Sequence, residues 1–593
     1  MNGQTLDFEN ILQRDNLACE LVNLFIDWEG RRQNWIAEKA EQQKYIWATD
    51  TTKTTNAQLP WKNKTVLPKL CQIRDNLFAN YMAALFPKRK WLYWEADTQK
   101  DQKKEKADVI RNYMINVIDR PEFKTEVAKM VLDYIDWGNV FATKEWIDTT
   151  KIDFRTNTEK VGYVGPIPKR ISPADIIFNP VATSFNRTGK FIRSIMTIGD
   201  FASKVMQESS DDNYEAMKKL LAYMSEIRSN VKSYLNVPAI KNDITNVAGL
   251  GSFYDYLRSS YVEVLTYYGD FYDNESGVLH RNKVITIVDR HKLVHIADNE
   301  SSFGTDGIYH AGWRIRQDTL YAMGPLDNLV GMQYRIDHLE NLKADVFDLI
   351  GFPPLKIKGN VDDFTWGPMA RIHVGDDGDV EVLAPDVQAL SANLDIQNLM
   401  QQMEEMAGSP KEAMGFRTPG EKTMYEVQRL ENAAARIFTT KIKQFEEQIL
   451  EPLLNDMLEM AMRKLDSSTI RIFDDELDAT IFATVTKEDI SGHGRIKPMA
   501  ARNFAERAEL VQNVNNFFQS ALGTDQELRA HFSTVRLAKM FEDLLDIENY
   551  KVVSPYIRLS EQQEAQSLSN IGQEQTNMEM MTPSGVTPED TGS

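Results

Sequence analysis

Cysteine is nearly missing from this 593-residue chain, which holds only Cys19 and Cys71, each in a stretch that reads as helix. Two thiols make no disulfide framework, so synthesis in a reducing compartment is expected, with both side chains read as buried small hydrophobes. Also absent is any run near the ~18 consecutive apolar residues that a membrane span needs, so no membrane is expected among the partners. Met1 to Asn10 lack the basic stretch and apolar run of a secretory leader, and none is expected. Basic residues are in deficit, 68 against 87 acidic, for a formal charge of −19. Such a balance argues against gripping nucleic acid by its phosphates. It leaves open an acidic wall that DNA slides past, and equally a surface whose charge serves only solubility. No Gly-Xaa-Ser-Xaa-Gly, His-Glu-Xaa-Xaa-His or dinucleotide fingerprint occurs, and no enzyme activity or cofactor is expected.

What is present is the composition of a folded chain, 42% hydrophobic and 10% aromatic, long enough for about three or four domains. The first 150 residues read mostly as helix, with one stripe of Leu21, Leu24, Phe25, Trp28 and Trp35 and a second from Val66 to Phe86. Helices over about 100–119 and 122–136 follow, the latter starting at Pro121 and ending at Gly138. Strands are then expected at Val140–Ile147, Val161–Ile171, Asp175–Phe178, Tyr261–Tyr268 and Val284–Asp289, with a helical block at 199–228. Residues 500–548 return to helix, and beyond Ser560 the chain is too polar to bury a core.

The centre is the most informative region. Helices over 325–350 and 389–407 flank a β-type insert, and a loop leads into a third helix over 423–465. The first carries Leu329, Met332, Ile336, Leu339, Leu342, Val346 and Leu349 at three- and four-residue steps, the seam of a helix packed along one side. In the insert, Gly375-Asp376-Asp377-Gly378-Asp379 reads as a hairpin turn between Arg371–Val374 and Val380–Leu383. Pro452 removes a backbone donor from the third helix and is expected to kink or interrupt it.

Tyr321-Ala322-Met323-Gly324-Pro325-Leu326, followed by Gln333-Tyr334-Arg335-Ile336-Asp337-His338-Leu339-Glu340-Asn341-Leu342, resembles the start of the stem in portal proteins of tailed bacteriophages. Ile171-Ser172-Pro173-Ala174-Asp175-Ile176-Ile177-Phe178-Asn179-Pro180 is similar to a stretch of the family's wing. Thr418–Thr423, Glu426-Val427-Gln428 and Gln448-Ile449-Leu450-Glu451-Pro452-Leu453-Leu454 resemble its channel loop and kinked helix. The likeness spans about residues 65–550 and is of the podovirus-like type.

The resemblance implies an α+β, predominantly α subunit in a ring, usually of twelve. Its parts would be wing (1–324), stem helix (325–350), clip (351–388), second stem helix (389–407), channel loop (408–422), returning wing with a long kinked helix (423–499), crown (500–560) and a disordered tail (561–593). It implies a virion protein made in the host cytoplasm and seated at the portal vertex between capsid and tail. Double-stranded DNA would pass through it in packaging and ejection, touched transiently and without regard to sequence. Its partners would be large terminase, scaffolding and major capsid proteins, and tail adaptor proteins. Stem residues Asp337, Glu340, Lys343 and Asp345, opposite the apolar seam, would face the lumen or the capsid.

Candidate residues follow. Gly415–Thr423 is nearly a phosphate-binding loop, but Glu421 stands where phosphate should sit, so nucleotide binding is not expected. In a loop facing a channel, Lys411, Arg417 and Lys422 would touch passing phosphates; otherwise they are simply solvated. In the clip, Phe364, Trp366 and Arg371 are candidates for an interface with a neighbouring subunit or adaptor, the alternative being a local core. His291 and His295, four apart in a strand, would lie ~13 Å from each other, too far to share an ion, and no metal is expected. Asp376, Asp377 and Asp379 lack the later Glu of a calcium loop. The readings from other classes are a metal-dependent nuclease or other DNA-processing enzyme with a helical hairpin, and a dimeric coiled-helix adaptor.

Overall fold

The computed structural model of the chain describes residues 15–47, 63, 65–86, 91–97, 104–153, 158–197, 199–201, 261–273, 277–288, 290, 292–299, 306–362, 372–383, 391–407, 438–474 and 479–499. Two units divide the chain, Met1–Arg502 and Asn503–Ser593, and the second lies outside the described residues. The expected crown and tail, the channel loop and most of the 199–228 block therefore fall outside them as well.

The architecture is mixed α+β, with helices packed around several small antiparallel sheets. In chain order come α1 (Asp15–Arg31), α2 (Gln33–Trp47), α3 (Lys69–Leu85), β1 (Leu92–Ala96), α4 (Lys104–Ile118) and α5 (Pro121–Asp136). Next are β2 (Asn139–Asp153), β3 (Thr158–Ile171), β4 (Ile176–Phe178), β5 (Lys190–Thr197), β6 (Tyr261–Asp273), β7 (Val278–Val288), β8 (Lys292–Asp298) and β9 (Tyr309–Gly312). Then follow α6 (Val330–Gly351), β10 (Leu355–Lys358), β11 (Asp379–Val382), α7 (Asn393–Ala407), α8 (Glu451–Lys464), β12 (Ser467–Asp474), β13 (Ala479–Thr486), α9 (Lys487–Ile490) and β14 (Gly494–Pro498).

Strand β2 is the hub of the body. It pairs along its length with β3, and its first residues pair on the other side with β9, from Asn139 opposite Gly312. Helix α5 runs straight into β2, so its apolar face (Phe123, Val127, Met130, Tyr134) is fixed against the same core that α3, α4 and α8 bury. The other sheet, ordered β4-β5-β6-β7-β8, receives α1: Leu21 and Phe25 are buried on it, Phe25 meeting Phe191 edge-on at 5.5 Å. This is the stripe read in the sequence, put to use as one buried helix face. Strand β1 pairs with β14, which ties residues 92–96 to 494–498, and Asn455 of α8 clamps the main chain of Ile496 through both its amide atoms.

The helical residues from 438 onward carry a local irregularity ahead of Pro452. Over Glu446–Leu450 the hydrogen bonds lengthen to a π-turn, and the Glu451 N–H reaches the Glu446 carbonyl five residues back. The helix then continues with Pro452 in its first turn, where the missing donor costs little. The interruption expected from Pro452 is thus spread over the turn preceding it.

Two local expectations fail. Strand β11 pairs with β10, Leu355 opposite Val382, whereas Val374 only bridges Val361. The Gly375–Gly378 turn therefore does not close a hairpin between 371–374 and 380–383. Gly359 makes the alternative possible: its φ is +77°, and a Cβ there would lie 2.0 Å from the Asp377 carbonyl oxygen. The second failure, the face that α6 buries, belongs with the site.

Candidate functional site

The two resemblance motifs of the body meet at one junction, where the chain leaves β9 and enters α6. Tyr321 stacks on Phe178 at 4.7 Å and meets Trp35 at the same spacing with the rings tilted by 39°, in a cluster with Phe141, Ile171, Ile176 and Phe185. Buried Arg32 gathers the turn before β4: its guanidinium donates to the carbonyls of Pro173 (3.2 Å), Ala174 (2.7 Å) and Ile176 (2.8 Å). Burial pulls the Arg32 pKa down from its ordinary value, opposed by nearby Tyr321, Glu29 and Asp175. Nothing local in the sequence marks Arg32, which lies 141 residues from its carbonyl partner Pro173.

Backbone touches backbone at the centre of the junction. Gly138 has φ +68°, and a Cβ on it would sit 2.2 Å from the Gly324 nitrogen; one on Gly324 would meet the Ile135 carbonyl oxygen at 2.8 Å. Asn139 holds Ala322 by both amide atoms, donating to its carbonyl at 2.9 Å and accepting from its N–H at 3.0 Å. Asp327 accepts the Gly324 N–H at 2.9 Å and pairs with buried Lys39 of α2, whose ammonium also donates to the Asp136 carbonyl. Asp136 in turn takes a two-pronged hydrogen bond from Arg74 at 2.8 and 3.0 Å. Burial lowers the Lys39 pKa, with Asp327 acting against it. Three helices, α2, α3 and α5, thus converge on the start of α6.

Helices α6 and α7 pack on each other and connect through the β10–β11 ribbon. The face that α6 buries is not the apolar seam alone. Ile336 and Leu339 are buried as expected, but so are Gln333, Asp337, Asn341 and Asp345, four residues apart. Asp337 and Asp345 therefore face neither a lumen nor the outside. An extended segment, described at residues 63 and 65–67, lies antiparallel on that row. The N–H groups of Leu67, Thr65 and Asn63 donate to Asp337 (3.0 Å), Asn341 (2.6 Å) and Asp345 (2.8 Å), and the Leu70 N–H donates to Gln333 at 3.2 Å. Asn341 also donates to the Thr65 carbonyl at 3.0 Å and Gln333 to that of Leu67. Burial raises the Asp337 pKa, while the Leu67 and Gln333 hydrogen bonds hold it back.

One residue further along α6 lies a second four-residue row with the opposite character. Tyr334, Leu342 and Ile350 are 46%, 38% and 43% exposed, with half-buried His338 stacked on Tyr334 and half-buried Val346 between the latter two. Phe347 and Phe352, and Leu394 and Met406 of α7, are also exposed, as are Ile357, Val374, Val382 and Leu383 of the insert. Glu340 and Lys343 are half-buried and pair with each other at 2.7 Å, Lys343 also reaching Asn393.

Of the residues singled out in the sequence, Phe364, Trp366 and Arg371, and likewise Lys411, Arg417 and Lys422, lie outside the described residues. Among the described residues no three His, Cys, Asp or Glu gather to hold an ion, and no helix is long and apolar enough to cross a membrane. The chain matches no protein-family model and no curated protein.

Proposed function

We propose that this chain is a portal-type subunit, a structural ring component at a capsid vertex that conducts double-stranded DNA and hydrolyses nothing. The observation that carries the reading is the helix pair α6–α7 with its two-stranded ribbon, each of which has large apolar side chains exposed among the described residues. Monomeric proteins seldom expose a contiguous apolar stripe of this kind unless something docks there. A head-to-tail contact between one copy's helix pair and the next closes into a ring when the rotation divides a full circle. The motifs read as stem and wing also meet at the junction, which would set the angle at which each pair enters such a ring.

In this reading the ring has about a dozen copies. Terminase docks on it during packaging and tail adaptors replace terminase afterwards, while scaffolding and capsid proteins hold its rim. The test is native mass spectrometry of the purified 68.0 kDa chain with negative-stain images. A ring with a central hole supports the reading. A compact dimer that cuts DNA when Mg²⁺ is added overturns it in favour of a nuclease.

A further inference from the structure

The polar row of α6 and the segment lying on it fit each other by their repeats. From Asp337 to Asp345 is eight residues, about 12 Å along the helix axis, and about 13 Å along a row inclined ~26° to that axis. Residues 63 to 67 of an extended chain span about 13 Å. Every second strand residue therefore meets every fourth helix residue without strain. Asn341 gives Thr65 both an acceptor and a donor, the two bonds that a neighbouring strand would give.

What the segment covers is the surprising part. It shields the row that water would solvate well and leaves bare, 100° around the helix, the row of Tyr334, Leu342, Val346 and Ile350. For a lone subunit the reverse would lower the free energy more. The same stretch of chain holds the second helix: buried Lys69, two residues on, pairs with buried Glu404 of α7.

We propose that residues 63 and 65–70 form a clasp that sets the rotation of α6 about its own axis, so that its apolar row faces the neighbouring copy. The clasp is a positioning device for the subunit interface and rests on the ring reading above. Most of its contacts to α6 run from helix side chains to its main chain, and the Asn63 side chain adds hydrogen bonds to Asp345 at 3.2 Å and Asp348 at 2.7 Å. Leu67 adds the apolar anchor where the clasp enters the core.

The experiment compares Asn341→Leu, Thr65→Pro and Leu342→Asp in the full-length protein, reading amide hydrogen exchange and the fraction in rings by sedimentation. Thr65→Pro deletes the same N–H from the clasp side, so it answers the question should Asn341→Leu prevent folding. The expected result is exchange at least about tenfold faster at the remaining clasp amides in the first two variants. Protection of α5 and β2 should be unchanged, and rings should be lost in all three. Rings that persist in both clasp variants while Leu342→Asp abolishes them would overturn the clasp and leave the ring reading standing. Rings unaffected by Leu342→Asp would overturn the apolar interface itself, and the clasp's role with it.

Discussion

Lys190 has no exposed surface, and its ammonium meets Asp306 while lying 4.4 Å over the Phe185 ring. An ammonium taken from water costs several kcal/mol, and the pair is tolerable only because both charges are present. Lys190→Met removes one of them and strands the other, so it should cost about 3–5 kcal/mol in a urea titration. Lys190→Met with Asp306→Leu should recover much of that loss. His310 stands beside this pair, its ring stacked on Phe141 at 4.8 Å and its Nε2 3.1 Å from the Asn139 side-chain oxygen. Burial, aided by the Lys190 charge, pushes its pKa down to about 3. The unfolded chain, with an ordinary value near ~6.5, then binds the proton more readily between those limits. Stability from this group is complete above pH ~6.5 and is lost as pH falls toward 3, by up to about 1.4 kcal/mol per unit. Unfolding titrations at pH 7, 6 and 5 should show that slope shrink in His310→Gln.

Between elements, the close contacts are the sensitive ones. Gly138→Ala puts a methyl into the Gly324 main chain at a left-handed position, and should cost about 2–4 kcal/mol and loosen the start of α6. A thermal melt together with exchange at the first α6 amides would read both effects. Lys69→Met leaves Glu404 buried without its partner and should destabilise α7 against α3, whereas Lys69→Met with Glu404→Leu should be close to neutral. Much at this scale was legible in advance. Pro121 and Gly138 bracket α5 because one residue lacks a donor that the first turn does not use and the other adopts a positive φ. The α1 stripe was legible because a single face is buried. The α6 row of Gln333, Asp337, Asn341 and Asp345 was not, although its spacing is as regular as that of Leu329, Ile336 and Leu339. Polar residues at helical spacing read as a solvated face, and only the main chain of Asn63, Thr65 and Leu67, remote in sequence, makes that face an interior. Strand β5 went unread because Lys190 and Arg193, both buried, break its apolar character, and their partners Asp306 and Glu263 lie far along the chain.

At the scale of the whole molecule, the described body is held by pairings that join early and late sequence: β1 with β14, Lys144 with Asp456, and α3 with α8 through a shared core. A body tied in this way brings the two sequence motifs together at the start of α6. Tyr321 against Phe178 is the contact that no periodicity announces, since each aromatic reads locally as core. In the ring reading, the exposed apolar row of α6 is the surface that meets a second copy. Native mass spectrometry of the intact chain with negative-stain imaging tests it most directly. The expected result is a closed assembly of about a dozen 68.0 kDa chains around a hole, lost in Leu342→Asp. A compact dimer, or a ring that Leu342→Asp leaves intact, would contradict it.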